Sequence, residues 1–147
     1  MYQPAFAVRI TLDIFMMNVY CDTGAYRSEL AQLEESGTIS LFQFKYENKN
    51  RKIKQRAEPS RATWSESKYT WSELGGLTWR DMERQSDLWS KIIKIVGSQN
   101  ATDAKHLDSA YMTKCVAFIT SDKTDIGNSK NAIENLLGIR IFHYIEN

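Results

Sequence analysis

The amino-acid sequence predicts an α/β fold with three layers, in which helices cover both faces of a central, mostly parallel sheet of four or five strands. Short apolar stretches rich in β-branched residues alternate along the chain with longer stretches of helical periodicity. Such alternation is typical of parallel sheets, whose strands are buried on both faces. The 147 residues suit one domain with its own core, and 42% of them are hydrophobic, as in ordinary globular proteins.

The first half of the chain supplies two predicted strands. Its predicted elements are the strand Val8–Leu12, the start of a helix leading into a loop at Ile14–Asp22, the helix Arg27–Ser36 and the strand Ile39–Phe44. Val8–Leu12 is largely apolar and β-branched, which indicates a buried strand. In the helix we expect Leu30 and Leu33 to face inward, and Gly37 to end it.

The middle of the chain has no clear periodicity. Lys45–Arg61 is strongly basic, and Thr63–Trp79 is rich in aromatic and polar residues. For the aromatic stretch we expect one or two short helices joined by loops. The basic stretch is usual for a solvated face, but beside a metal site it would guide a phosphate backbone.

The second half alternates helices and strands. Its predicted elements are the helix Asp81–Val96, a helix starting at Thr102 or Asp103, the strand Val116–Thr120, a helix capped by Asn128 or Ser129, and the strand Arg140–Tyr144. The first helix has a clear apolar stripe made of Leu88, Trp89, Ile92, Ile93 and Val96. Gly138 is the expected stop of the last helix.

Carboxylates from distant parts of the sequence are predicted to meet at one edge of the sheet. Asp13 follows the first strand, Asp122 follows a later strand, and Asp103 opens the helix that leads back to it. Ligands of open parallel sheets bind beyond the carboxyl ends of the strands. Carboxylates are preferred ligands of Mg²⁺, and a metal-bound water attacks phosphorus more readily, so the pattern indicates phosphodiester chemistry. Thr120 would orient that water or support an acid through its hydroxyl.

Each candidate also has a plainer interpretation. Asp103 is equally suited to cap its helix, and Asp13 to cap a following helix. Asp122 and Asp125 are equally suited to form a turn. We interpret His106 as a packed histidine rather than a catalytic one. The metal hypothesis therefore depends on the joint placement of the acids.

Composition excludes several classes of function. The net charge of +1 does not indicate a nucleic-acid partner, and no apolar run approaches the length that crosses a bilayer. The N-terminus lacks the features of a signal peptide, so we expect a cytoplasmic protein. We interpret Cys21 and Cys115 as reduced, buried thiols. His106 and His143 do not make a zinc site alone, and neither GxxxxGK[ST] nor GxGxxG occurs.

Four short stretches carry a family resemblance. They are Ile10-Thr-Leu-Asp13, Asp103-Ala-Lys-His106-Leu-Asp-Ser-Ala110, Phe118-Ile-Thr120-Ser-Asp122-Lys and Leu137-Gly-Ile-Arg-Ile. Together they resemble the PIN domain family, small metal-dependent ribonucleases that include the toxins of many bacterial toxin–antitoxin pairs. The stretches look like that family's first strand with its first acid, its acid-bearing helix, its Thr-x-Asp strand end and its closing helix-to-strand turn. The resemblance covers most of the chain and is best over Thr102–Gly138.

The resemblance implies a single PIN-like domain over residues 1–147, an endoribonuclease that uses Mg²⁺ or Mn²⁺. The implied catalytic residues are Asp13, Glu47, Asp103, Thr120 and Asp122, and the implied metal ligands are Asp13, Asp103, Asp122 and Asp125. In the basic stretch, Arg51, Lys52 and Lys54 are the expected contacts to RNA. If the protein is a toxin, the resemblance also implies an antitoxin partner and a homodimer.

Two departures from the family pattern support other hypotheses. Phe15 stands where the family has Asn or another small polar residue, and Glu47 is the nearest candidate for its second acid, with Glu66 and Glu73 as further candidates. A catalytically degenerate PIN-like module that binds RNA or a protein is therefore the second hypothesis. A Mg-binding α/β domain that transfers phosphoryl groups on small molecules is the third.

Overall fold

The computed structural model describes residues 17–22, 24–45, 52–61, 83–121 and 129–143. Within these ranges the elements are β1 (Met17–Cys21), α1 (Ser28–Glu35), β2 (Ile39–Gln43), β3 (Gln55–Arg56), α2 (Trp89–Val96), α3 (Ala101–Met112), β4 (Ala117–Thr120), α4 (Lys130–Leu137) and β5 (Arg140–His143). The five strands form one parallel sheet in the order β3-β2-β1-β4-β5. The predicted α/β fold with a parallel sheet is thereby confirmed.

Helices lie on both faces of the sheet, and each face has its own apolar core. On one face α2, α3 and α4 pack on side chains that alternate along the strands, among them Tyr20 and Phe118. On the other face α1 inserts Leu30 among the intervening strand residues, such as Val19 and Leu41. This two-sided burial explains why all four residues of β4, Ala-Phe-Ile-Thr, are buried.

The strand order reverses direction between β1 and β4. From the central strand β1 the chain builds β2 and then β3 on one side, and it later returns to add β4 and β5 on the other. In parallel α/β sheets the crevice beyond the carboxyl ends of two such strands is the usual ligand site. The residues at the carboxyl ends of β1 and β4 are therefore the candidates for a ligand site.

Glycines end three of the described helices, α1, α2 and α4, and Gly37 and Gly138 do so as predicted. After α1 the backbone N–H groups of Gly37 and Thr38 bond to the carbonyls of Glu34 and Leu33, both at 3.0 Å, which is the Schellman pattern. Gly37 has φ +82° and Gly138, after α4, has φ +69°. Residues with a Cβ adopt this left-handed region only at a cost, so glycine suits both positions.

The first described strand is not where the sequence was expected to form it. Met17–Cys21 is the central strand β1, whereas these residues were assigned to the start of a helix and a loop, and that assignment was wrong. Val19 and Tyr20 are β-favouring residues, and burial on both faces of the sheet dominates here over helical spacing. The predicted strand Val8–Leu12 and its acid Asp13 lie outside the described residues.

Two further expectations differ from the structure. Leu33 of α1 is not inward but 41% exposed. It lines an open apolar groove of about 470 Å³ with Met17, Val116 and Phe142, since the described part of α1 covers β2 more than β4 and β5. The basic stretch contains the edge strand β3, which the sequence does not reveal because two polar residues show no periodicity.

Helix α2 begins at Trp89, later than the predicted start at Asp81. Its apolar stripe is as predicted, with Ile92 and Val96 buried. The hydroxyl of Ser86 accepts a hydrogen bond from the backbone N–H of Leu88 at 3.0 Å. This contact fixes the entry to the helix and explains why residues 84–88 do not continue it toward the N-terminus.

A buried carboxylate ties two connecting segments to α3. Asp108 is fully buried, and its Oδ2 accepts hydrogen bonds from the hydroxyl of Ser60 at 2.7 Å and from the backbone N–H of Ser86 at 3.0 Å. Its Oδ1 accepts the hydroxyl of Ser86. Next to this cluster the backbone N–H of Arg61 bonds to the carbonyl of Arg84 at 2.7 Å. Residues 60–61 and 84–86 are therefore joined to each other and to α3.

Both cysteines are buried thiols, as expected from the sequence. Burial raises the pKa of Cys115 from 9.0 to about 12. Because the thiolate is the reactive form, we expect Cys115 to resist iodoacetamide at pH 8 in the native protein and to react after denaturation. Peptide mass spectrometry of both samples measures this. Labelling of native Cys115 as fast as a free cysteine would contradict it.

In the described part of the chain, no helix is both long and apolar enough to cross a membrane.

Candidate active site

A carboxylate and a hydroxyl meet where the strand order reverses. Asp22 directly follows β1, and Thr120 is the last residue of β4. The Thr120 hydroxyl donates a hydrogen bond to Asp22 Oδ2 at 3.1 Å, and the backbone N–H of Asp22 bonds to the carbonyl of Ile119 at 2.9 Å. Both ends of the Asp22 residue are therefore attached to β4, which fixes its carboxylate at the switch point.

The strand register shows which face carries this site. Extending the pairing of β1 with its neighbours by one or two residues puts Asp22 in one row with Phe44, Thr120 and His143. Side chains in one row share a face of the sheet. Phe44 belongs to the core under α2, α3 and α4, so Asp22 faces these helices as well.

Helix α3 brings an imidazole to the carboxylate. His106 is 5% exposed, and its Nδ1 lies 3.9 Å from Asp22 Oδ1 and 2.6 Å from the hydroxyl of Tyr20. Edge-to-face contacts with Phe44 and Tyr20, at 5.3 Å and 5.8 Å between ring centroids, hold the imidazole ring. The two Asp22 oxygens thus have different surroundings: one takes the Thr120 hydroxyl, and the other faces His106.

Asp103 lies one helical turn before His106. It is the third residue of α3 and is partly buried, whereas the N-cap position belongs to Asn100, so Asp103 is not the cap of this helix. Residues three apart on a helix lie on the same face, with Cβ atoms about 5–6 Å apart. Because His106 contacts Asp22, this spacing puts Asp103 on the helix face that looks toward the carboxyl edge of the sheet.

The remaining predicted site residues divide into two groups. Asp13, Glu47, Arg51, Asp122 and Asp125 lie outside the described residues. Lys52 and Lys54 are exposed and precede β3, at the amino end of that strand. Asp22 follows the carboxyl end of β1, and the strands are parallel, so the structure does not bring these two lysines together with Asp22.

The donor atoms of the site suit a hard divalent cation. Asp22 and Asp103 offer carboxylate oxygens, which Mg²⁺ and Mn²⁺ prefer, and Mg²⁺ is usually held by one or two carboxylates together with waters. Among the residues that the structure describes, no three His, Cys, Asp or Glu side chains are grouped closely enough to hold a metal.

Fold and site together define a parallel α/β protein with a carboxylate, a hydroxyl and an imidazole at the switch point of its sheet. Comparison of the chain with protein-family models, with curated proteins and with solved structures gives no match. The geometry of the site is therefore the basis for assigning a function.

Sequence reasoning missed Asp22 and took His106 for a packed residue only. Asp22 was hidden because the preceding residues were assigned to a helix. The signal was present: Val19-Tyr20-Cys21 is β-favouring and Asp22-Thr-Gly is turn-like, which is how a buried strand ends. His106 is indeed packed, but its contact with Asp22 joins residues that are far apart in the sequence and is invisible along the chain.

Proposed function

We propose that this protein is a metal-dependent endoribonuclease of the PIN type that hydrolyses RNA phosphodiester bonds. One observation supports the proposal. Asp22, Thr120 and His106 meet at the switch point of the sheet, and Asp103 lies one helical turn before His106 on α3. Asp22 takes the part that the sequence resemblance gave to Asp13. Two positions after Asp22 stands Gly24, which is small but not polar, so the chain departs from the family pattern at this position as well.

In this proposal Asp22 and Asp103 bind Mg²⁺ or Mn²⁺, with Asp122 as the further ligand that the resemblance implies. When bound, the cation lowers the pKa of a coordinated water and neutralises charge on the phosphate. Thr120 would hold the Asp22 carboxylate in place through its hydrogen bond to Oδ2, while Asp22 and Asp103 would hold the cation. The attacking water forms the new P–O bond, the bond to the leaving oxygen breaks, and that oxygen takes up a proton.

The direct test is cleavage of RNA by the purified protein. With Mn²⁺, we expect cleavage of a single-stranded RNA that EDTA stops and that Asp103→Asn lowers by at least about 100-fold, because the variant loses a charged ligand. Asp87→Asn is the matched control, since Asp87 is exposed on another surface. Equal cleavage by Asp103→Asn and the parent protein would show a contaminating nuclease and overturn the proposal.

A catalytically degenerate module that binds RNA is the second candidate. It is favoured by the small set of described ligands, in which Asp22 contacts His106 and Thr120 rather than a second acid. In that case RNA binds and the binding weakens with salt, but Mn²⁺ gives no cleavage. For a toxin, the resemblance would add an antitoxin protein and a homodimer.

A further inference from the structure

We propose that Lys45 and Lys105 form a phosphate-binding rim that holds the backbone of single-stranded RNA against the carboxylates. This inference rests on the proposed function, because it names how the same site takes its substrate. The rim takes the place of Arg51, Lys52 and Lys54, the contacts to RNA that the sequence led us to expect.

The ammonium group of Lys105 lies over the ring of Phe44. Its Nζ lies 5.7 Å from the ring centroid of Phe44, within the range of a cation–π contact. The same ring contacts the imidazole of His106, whose Nδ1 is 3.9 Å from Asp22. The ammonium group is thus separated from the candidate active site by aromatic rings, close enough for one nucleotide strand to contact both.

Lys45 approaches the same edge from the sheet. It is the second residue after the end of β2, and it follows Phe44 directly. Strands β1 and β2 are neighbours in the sheet, so the end of β2, which leads to Lys45, lies beside the end of β1, which leads to Asp22. Two lysines therefore lie next to Phe44: Lys45 follows it in the chain, and Lys105 of α3 contacts its ring.

The positive charges of the rim would offset the repulsion between RNA and the carboxylates. A polyanion that approaches Asp22 and Asp103 is repelled by both carboxylates, and cations at the same edge offset that repulsion. Lys52 and Lys54 do not meet this need, because they stand at the amino end of β3. Charge count alone does not distinguish the two pairs of lysines, whereas position relative to the carboxyl edge does.

The test measures binding without turnover. Fluorescence anisotropy of a labelled single-stranded oligoribonucleotide is followed in EDTA over a salt series. We expect the variant with Lys45→Ala and Lys105→Ala to lose about fivefold to tenfold in affinity. The slope of log K against log salt should fall by about 1.4, which is about 0.7 for each phosphate that is no longer neutralised by a lysine.

The variant with Lys52→Ala and Lys54→Ala is the matched comparison, since it removes the same charge from exposed positions that precede β3. Lys105→Arg keeps a cation over the Phe44 ring and should bind RNA like the parent protein. This control shows whether the positive charge, rather than the packing of the lysine side chain, accounts for the affinity. Equal losses in both double variants would indicate a general charge effect and overturn the rim. A loss confined to Lys52 and Lys54 would do so too.

The rim and the nuclease can fail separately. RNA cleavage that persists while both double variants bind like the parent protein rejects the rim and leaves the nuclease. Binding that depends on Lys45 and Lys105 in a protein that never cleaves RNA rejects the nuclease and leaves the rim. Thermal unfolding of each variant confirms that binding is compared between folded proteins.

Discussion

Asp22→Asn should abolish metal-dependent RNA cleavage, with a loss of at least about 100-fold at saturating Mn²⁺. Asparagine keeps the size of the side chain and can still accept the hydrogen bond from Thr120, so the fold should remain. It lacks the negative charge that a hard cation requires, and its amide group presents donors or a weaker acceptor to the site. The readout is the initial rate of cleavage of a labelled RNA over a range of Mn²⁺ concentrations.

The same experiment decides between two assignments of the first acid. The sequence pointed to Asp13, whereas the geometry points to Asp22, and Asp13→Asn is the isosteric counterpart for the comparison. Activity lost in Asp13→Asn and retained in Asp22→Asn would refute the assignment to Asp22. Circular dichroism of both variants establishes that any loss of activity is not a loss of fold.

The fold was predictable because its signals are local and strong. The apolar stripe of α2, the glycine stops after α1 and α4, and the strand Ile39–Gln43 each follow from burial and backbone conformation over a few residues. Alternation of such elements then favours a parallel sheet, because crossover helices must cover its faces. The two-residue strand β3 was beyond reach, since only its neighbour β2 makes it a strand.

The candidate site was predictable in kind but not in its residues. That acids gather beyond the carboxyl ends of parallel strands is a rule of topology, and Asp103 and Thr120 were placed by it. Which acid follows the central strand depends on where that strand lies, and the assignment of residues 14–22 to the start of a helix and a loop left Asp22 out of the predicted site. The contact of Lys105 with Phe44 joins α3 to the end of β2. These residues are far apart in the sequence, so no spacing pattern predicts it.

Asp108→Ala should lower the free energy of unfolding by about 3 kcal/mol or more. The carboxylate is fully buried and accepts three hydrogen bonds, from the hydroxyl of Ser60 and from the hydroxyl and backbone N–H of Ser86. Alanine leaves all three donors without that partner, the Ser60 hydroxyl in a fully buried place and the Ser86 donors in a partly buried one, and each buried donor without a partner costs about 1–3 kcal/mol. Urea unfolding at constant m-value measures the change.

Graded variants separate this network from a general effect of removing a charge. Ser60→Ala removes one of the three bonds and should cost about 1 kcal/mol. Asp87→Ala removes a carboxylate from an exposed position and should stay within about 0.5 kcal/mol. If Asp108→Ala does not fold, Asp108→Asn still tests the claim. The amide oxygen can take the Oδ2 position and accept from Ser60 and from the backbone N–H of Ser86, while the Ser86 hydroxyl must rotate to accept from the NH₂ group. The stability of Asp108→Asn should therefore lie between those of the parent protein and Asp108→Ala. Stability of Asp108→Asn equal to that of the parent protein would show that the carboxylate does not hold residues 60–61 and 84–86 to α3, the helix that carries Asp103 and His106.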